Sequence, residues 1–472
     1  MNNNTVLKMQ QITLGMLLAF TLSQQAVQAE ETALPDYTIF DAIKGGKNLT
    51  SFRLRYESVD QDAFQPEPNA AKKLDRAEGV TLRSLIGWQT APFHNFSIAA
   101  QLINVSKLDD DFNDRDRNQP QPGHLNFPVI ADPDYTGVNQ LYLDWTGIRN
   151  TRVRLGRQQT NLDNVRFIGD IAFRQVLQVF DGVSVLNKSI PDTEVYLAHF
   201  DKVRQINTKL RDTNIEIANI KYRISPTESL VGYGYFLDAP NLAQNGGSPT
   251  ANPLLAGAGN GLGASKDTPA TSNATTDASN YTIGARLDGV HKLNDNWKAL
   301  YTAEYAKQND YRDGSSLIDA HYYHFGGGAA YQMWSLRIDQ ELLSSNNGKY
   351  GFQTPLGTNH VFQGWADLFL ITPRQGIRDT YVTLATTVFK AKIAAEYHDF
   401  KSDEDFRTIG NKLTDSYGSE LDVGVTYPFT DRFSGKFEYA SFKEDDVYGT
   451  SLKAGTRKPD TEKIWFTAIY AF

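Results

Sequence analysis

The chain has 472 residues, 47 Lys+Arg against 55 Asp+Glu, a formal net charge of −8 at pH 7 and no cysteine. The acidic balance argues against a nucleic-acid partner, and the lack of cysteine excludes a disulfide framework. Beyond the N-terminal leader, no run of about 18 apolar residues offers a membrane-crossing helix.

Residues 1–29 read as a secretory signal peptide. Lys8 precedes the apolar run from Ile12 to Leu22, and Val27 and Ala29 supply the small residues of a cleavage site. No shift of composition marks a later boundary, so residues 30–472 are expected to form one domain. Strict apolar–polar alternation, the signature of strands, then runs along most of the chain. In "SFRLRYESV" Phe52, Leu54 and Tyr56 interleave with Arg53, Arg55 and Glu57. Strands are expected near 50–59, 80–89, 96–105, 138–146, 151–158, 176–187, 193–200, 213–224 and 229–237. A second set falls near 280–290, 296–306, 322–331, 333–342, 378–388, 390–399, 418–427, 433–441 and 463–472.

Short connections, among them "QTAPFHN", "TGIRNT", "KLNDNW" and Phe389–Lys390, alternate with long ones near 60–79, 106–137, 159–175, 201–212, 238–279, 307–321, 343–377, 400–417 and 442–462. An even number of strands of ~10 alternating residues, with turns short on one side and long on the other, is the pattern of an outer-membrane barrel. The expected fold is therefore all-β: a transmembrane antiparallel β-barrel of about 18 strands, with short periplasmic turns and long extracellular loops, in the cell outer membrane. Four of the 6 tryptophans, Trp88, Trp145, Trp297 and Trp334, fall beside short turns, as an interfacial aromatic girdle requires. On the last strand Ile464, Phe466, Ala468, Tyr470 and Phe472 share one face. The terminal aromatic Phe472 is expected to engage the barrel assembly machinery, and the outer surface to meet lipid and lipopolysaccharide.

So wide a barrel leaves an aqueous lumen, and the polar phase of each strand lines it. Early strands place Arg53, Arg55, Arg83, Arg152 and Arg154 inward against Glu57 and Asp144. Later ones place Glu304, Asp339, Glu341, Glu396, Glu420, Asp422 and Glu438 inward against Arg286, Lys298, Arg337, Lys392 and Lys436. A basic wall thus faces a more acidic one. The stretch "RLGRQQTNLDNVRFIGDIAFRQ" adds Arg157, Arg166 and Arg174 to Arg154, with Arg157 out of phase. Guanidinium forks pair bidentately with carboxylate or phosphate, so Arg53, Arg55, Arg83, Arg152, Arg154, Arg157, Arg166 and Arg174 are the expected pore-lining, anion-binding set. The alternative is a solvated loop, or loop arginines that pair with Asp163 and Asp170 and merely pin it down.

Other segments carry less chemistry. "KLDDDFNDRDRN" (107–118) lacks the spacing and glycine of a calcium loop and reads as a solvated acidic loop. The Gly/Ala/Ser/Asn-rich stretch 241–277 reads as a mobile surface loop. "HVFQGWADLFLITPRQGIRD" (360–379) is apolar enough to be structured, yet counting it as a strand would break the even number. It reads as a folded part of the seventh outer loop that dips into the mouth, or else as a miscounted strand pair. His199 near Asp201 and His398 beside Asp399 are the only residues that suggest a hydrolase, and adjacent strand residues point to opposite faces. No catalytic residue, metal site or cofactor is expected.

"GRQQTNLDNVRFIGDIAFRQVLQVFDG", "IADPDYTGVNQLYLDW" and "GWADLFLITPRQGIRDTYV" resemble the alginate export family of outer-membrane channels, and "FRLRYESVDQ" and "GVTLRSLIGWQT" fit the same pattern. The resemblance covers most of the mature chain. It implies a large porin-like barrel whose best-known members secrete an anionic polysaccharide through an arginine-lined pore, while most relatives are simply called porins. The expected function is passive passage of small hydrophilic or anionic solutes. The alternatives are export of an anionic polysaccharide and, from other classes, a barrel hydrolase or a surface adhesin.

Overall fold

Alternation becomes strand nearly everywhere it occurs. In a computed structural model, residues 37–62, 74–114, 126–238, 278–407, 412–445 and 459–472 are described. The wall begins with β1 (Ser51–Gln61), β2 (Ala77–Gln89), β3 (Phe96–Asp111), β4 (Tyr135–Trp145), β5 (Thr151–Gln158) and β6 (Val179–Asn187). It continues through β7 (Thr193–Arg204), β8 (Leu210–Ser225), β9 (Glu228–Asp238), β10 (Asn280–Lys292), β11 (Trp297–Asp310) and β12 (Asp319–Tyr331). It ends with β13 (Trp334–Leu343), β14 (Ile377–Val388), β15 (Ala391–Arg407), β16 (Leu413–Pro428), β17 (Phe433–Glu444) and β18 (Thr461–Ala471).

Each strand pairs antiparallel with its sequence neighbours, and β18 pairs with β1 from Thr461↔Gln61 to Ala471↔Ser51. Among the described residues the sheet has 19 strands. One is the two-residue piece Lys47–Asn48 beside β2, and the other eighteen close the ring. Closure removes every free edge, which a lipid environment demands because it offers backbone groups no other partner.

The surface is apolar where a soluble protein would be polar. Leu54, Ile86, Leu102, Leu141, Leu155, Ile283, Phe325, Ile338, Leu384 and Phe466 are all exposed on the outward phase. Trp88, Trp297 and Trp334 are exposed near the short turns, joined by Tyr331, Phe389, Tyr427 and Phe433. This is an aromatic belt at the periplasmic interface.

Three features differ from the sequence expectation. A short helix, α1 (Ile39–Lys44), precedes the wall, closed by a capping box between Thr38 and Asp41. It lies against the first short turn, with Ala91 N–H donating to Ala42 O at 2.8 Å and Trp88 Nε1–H to Ile43 O at 2.7 Å. The connections expected at 201–212 and 400–417 are largely strand, since β7 and β8 leave only residues 205–209 between them and β15 extends to Arg407. Both faces of such extensions carry polar groups, as with Lys202 paired to Asp212 across the hairpin, so alternation fades although backbone pairing continues. Finally, β6 starts at Val179, because residues 159–178 belong to the lumen rather than the wall. The expected signal peptide and the 241–277 stretch lie outside the described residues, as does the end of the acidic 107–118 loop.

Candidate functional site

Two irregular segments, 159–178 and 344–376, fold into the barrel and lock together. Gly169 N–H donates to Leu356 O at 2.9 Å, Thr358 N–H to Val165 O at 2.9 Å and Ile171 N–H to Thr358 Oγ1 at 3.0 Å. Gln178 Nε2 spans both, donating to Gly169 O and Leu356 O. The contact is tight enough that a Cβ on Gly357 would lie 2.1 Å from Arg166 O. Val165 (φ 60°) and Ile171 (φ 52°) are β-branched residues in the left-handed region, a costly backbone that persists only when its surroundings over-determine it. Phe167, Ile168, Tyr350, Phe352, Leu356 and Phe369 from these segments bury against inward Phe180, Tyr233, Tyr322, Phe400 and Phe442. The barrel thus has an apolar core within its lumen. Residues 360–376 of the 360–379 stretch lie here, with a 3-10 turn at Asn359–Val361, and only its last three residues open β14, so it is an inserted loop and not a strand pair.

The arginines singled out in the sequence divide into three groups. Arg53, Arg55 and Arg174 clasp the first inserted segment. Arg53 donates through Nε to Gln175 Oε1 at 2.8 Å and through Nη2 to Arg174 O. Arg55 Nη1 donates to Phe173 O at 2.6 Å, with its guanidinium 4.3 Å above the Phe173 ring. Arg174 reaches back, 3.1 Å from Glu57 Oε2 and 2.8 Å from Asp367 Oδ2, and so ties the first segment to both wall and second segment. Arg166, 1% exposed, donates to Gln363 Oε1 at 2.8 Å and lies 3.4 Å from Glu341 Oε2.

Arg154 and Arg157 are each in a bidentate pair. Arg154 grips Asp144 at 2.6 and 2.7 Å, its guanidinium 3.6 Å over Tyr142. Arg157 grips Asp181 at 2.7 Å through both nitrogens. Because Arg157 shares its rung with exposed Leu141, it sits on the outward phase, apart from the rest. Asp163 and Asp170, the partners considered for the loop arginines, instead accept from Asn219 and Gln159.

Arg83 and Arg152 are the least engaged. Arg83 is 9% exposed, and its Nε and Nη1 have no hydrogen-bond partner; the same holds for Arg152 Nε. Arg83 stands directly opposite Arg53 on the β1–β2 ladder, an arrangement of like charges that costs free energy without a counter-charge.

The opposite wall is acidic, as the inward phases implied. Glu304 holds Arg286, Asp339 holds His324 and Arg337, and Glu438 holds Lys436. Glu420 and Asp422 accept the backbone N–H groups of Ala366 and Trp365, at 2.6 and 3.2 Å, and so moor the tip of the second segment. Gly364, at φ +79°, is needed there, because a Cβ would lie 2.4 Å from Glu420 Oε2. On the periplasmic side of this mooring a cavity of about 410 Å³ is lined by Trp365, Lys392, Ala394, Gly424, Thr426 and Lys436.

Within the inserted segments burial and charge shift protonation strongly. Burial would raise the Asp367 carboxyl, but Lys463, His360 and Arg174 outweigh it and hold it well below the usual carboxylate range. Burial would likewise depress Arg174, yet Glu57, Asp367 and Asp132 outweigh it and raise it. For His360, burial dominates over Asp367 and lowers the imidazole below its ordinary value.

Sequence reasoning missed Asp132, His360, Asp367, Asp379 and Lys463, none of which stands out by spacing. His398 is indeed not paired with Asp399. Its Nδ1 lies 3.0 Å from both oxygens of Asp379, 19 residues away on the neighbouring strand. No metal site was legible, but the fold gathers Glu396, His398 and Asp422 with donor atoms within 4.8 Å of one another. His199 sits half-exposed on the wall, bonded to Glu216 and Asp201.

No family model matches the chain, and no curated protein matches it. Among solved structures it is similar to Pseudomonas aeruginosa OpdQ, at 13% identity and a TM-score of 0.60, covering 91% of this chain and 98% of that one. P. aeruginosa OccK9 (OpdG) gives 14% identity and a TM-score of 0.62, covering 91% and 99%. P. aeruginosa OpdK, solved with vanillate, gives 13% and 0.59, covering 91% and 98%. At such identities the likeness concerns the fold. It is that of an eighteen-stranded antiparallel β-barrel, as in the P. aeruginosa outer-membrane protein OpdK.

Proposed function

We propose that this barrel is a channel for small hydrophilic solutes with a preference for anions, carboxylates in particular. The observation that carries this reading is the rung Arg53↔Arg83, where two guanidinium groups stand side by side and Arg83 keeps two buried donors unspent. A passing carboxylate adds to the counter-charge that Asp132 and Asp170 supply near this pair. Arg152 and Arg154 continue the basic face, with Arg152 Nε also unspent. Arg53, Arg55, Arg166 and Arg174 contribute to the field while they hold the inserted segments, and Arg157 is peripheral. The acidic wall opposite makes the field transverse to the path and not a uniform anion trap. Two interlocked segments in the lumen favour small solutes over a polysaccharide, and the neighbour solved with vanillate, a carboxylate, agrees in ligand class. Passage is passive and uses no cofactor.

The test is the reversal potential of single channels in planar bilayers under a salt gradient. Wild type is expected to be anion-selective. Arg83→Gln with Arg152→Gln should move the reversal potential toward zero while the barrel stays folded. A cation-selective wild type, or a folded double variant with unchanged selectivity, refutes the reading.

A further inference from the structure

On the acidic wall one imidazole is held with its free nitrogen aimed at two carboxylates. His398 on β15 is 3% exposed. Its Nδ1 lies 3.0 Å from each oxygen of Asp379, so Nδ1 carries the proton and donates it there. Nε2 has no hydrogen-bond partner. Nε2 faces Asp422 Oδ2 at 3.6 Å and Glu396 Oε2 at 3.7 Å. Asp422 is fully buried, and its carboxyl lies against that of Glu420.

No carboxylate oxygen lies within hydrogen-bond distance of Nε2. Separations of 3.6 and 3.7 Å are instead those of two ligands of one small ion. Bonds of ~2.0–2.1 Å in tetrahedral geometry put ligand atoms about 3.4 Å apart. The three donors come from a simple strand arrangement. Glu396 and His398 are two apart on one face of β15, and Asp422 is the register partner of Glu396 on β16.

We propose that Glu396, His398 and Asp422 form a divalent transition-metal site, best suited to Zn²⁺. A nitrogen with two carboxylates suits such an ion, whereas Ca²⁺ and Mg²⁺ take oxygen alone. Asp379 is the positioning residue that fixes the imidazole tautomer, the role a carboxylate plays behind a metal-bound histidine. The side chain of Glu396 is 20% exposed, and the next inward rung, Ala394↔Gly424, lines the 410 Å³ cavity, so the ion and a fourth ligand enter from the periplasmic side. Since Asp422 also accepts Trp365 N–H, a bound ion stiffens the mooring of the second inserted segment.

The test uses the full barrel, purified in detergent and stripped with chelator. Zn²⁺ is titrated calorimetrically, and Co²⁺ is added to read visible d–d absorption. Wild type is expected to bind one ion tightly, with a Co²⁺ spectrum of low-symmetry N/O ligation. Asp379→Asn should weaken binding roughly 10–100-fold, and His398→Gln should abolish the spectrum. Glu396→Gln, at the exposed edge, guards against misfolding, since it should keep the heat-modifiable gel band yet lose affinity. No Zn²⁺ binding by wild type, equal affinity in folded Glu396→Gln, or Mg²⁺ binding as tightly as Zn²⁺ overturns the proposal.

Discussion

Single side chains decide how firmly the lumen is filled. Arg174 touches the wall at Glu57 and the second segment at Asp367, so Arg174→Gln takes the cation from buried Glu57 and leaves Asp367 to Lys463 and His360. Breaking one partner of a buried pair costs about 3–5 kcal/mol. The loss should fall on segment docking, because the wall ladders are untouched. Arg174→Gln should therefore raise single-channel conductance and protease cleavage within 159–178, while the heat-modifiable band persists. His360 gives the docking a pH dependence. It is stacked on Phe173, edge-on to Trp465 and bonded to Asp367, and burial depresses its pKa. A depressed imidazole pKa means the undocked segment binds the proton more readily. Docking is therefore strongest above the free value of about 6.5 and weakens as pH falls through it. Asp367 adds no change there, since its depressed carboxyl keeps its contribution until pH falls below about 4. Conductance recorded from pH 7.5 to pH 5 should rise in wild type and stay flat in His360→Leu; a matching rise in the variant would remove His360 from this role.

The strands and the inserted segments were legible to different degrees. A strand announces itself because its side chains alternate over successive residues, and "SFRLRYESV" or "NWKALYTAEY" shows this without reference to anything distant. The inserted segments have no period. Their conformation is held by contacts such as Thr358 with Val165 and Ile171, which local pattern cannot reveal. Apolar content and the even strand number pointed to a folded loop at 360–379, but not to its partner at 159–178. The interlock makes its own prediction. Gly357→Ala places a Cβ 2.1 Å from Arg166 O and Gly364→Ala one 2.4 Å from Glu420 Oε2, at a positive φ. Either change should unlatch the segments, giving larger and noisier channels in a barrel that still migrates as folded. Channels as quiet as wild type would show that the segments are held elsewhere.

The barrel as a unit has an orientation and an assembly route. Short turns face the periplasm, so an epitope at 206–208, between β7 and β8, should label on intact cells and one at Asp295 should not. Equal labelling would reverse the assignment. Phe472 lies at the closing seam, exposed, edge-on to Phe52 at 6.2 Å, with its N–H donating to Thr50 O at 3.2 Å. We propose that it is the recognition end for the assembly machinery. Deleting it should slow assembly, read as a loss of the heat-modifiable band in pulse-labelled cells, whereas Phe472→Trp should restore it.

Strand number, the apolar-out and polar-in phases, the periplasmic tryptophans and the opposition of basic and acidic walls were all present in the chain read residue by residue. They follow from a period of two and from turn chemistry, both local. The partners of the lumen charges were not. Arg174 meets Glu57 and Asp367 across 117 and 193 residues, and His398 meets Asp379 through strand register. Such pairings exist only once β18 has closed on β1 and two segments without periodicity have been forced into one enclosed volume, where every buried charge must find its partner among whatever closure has brought within reach.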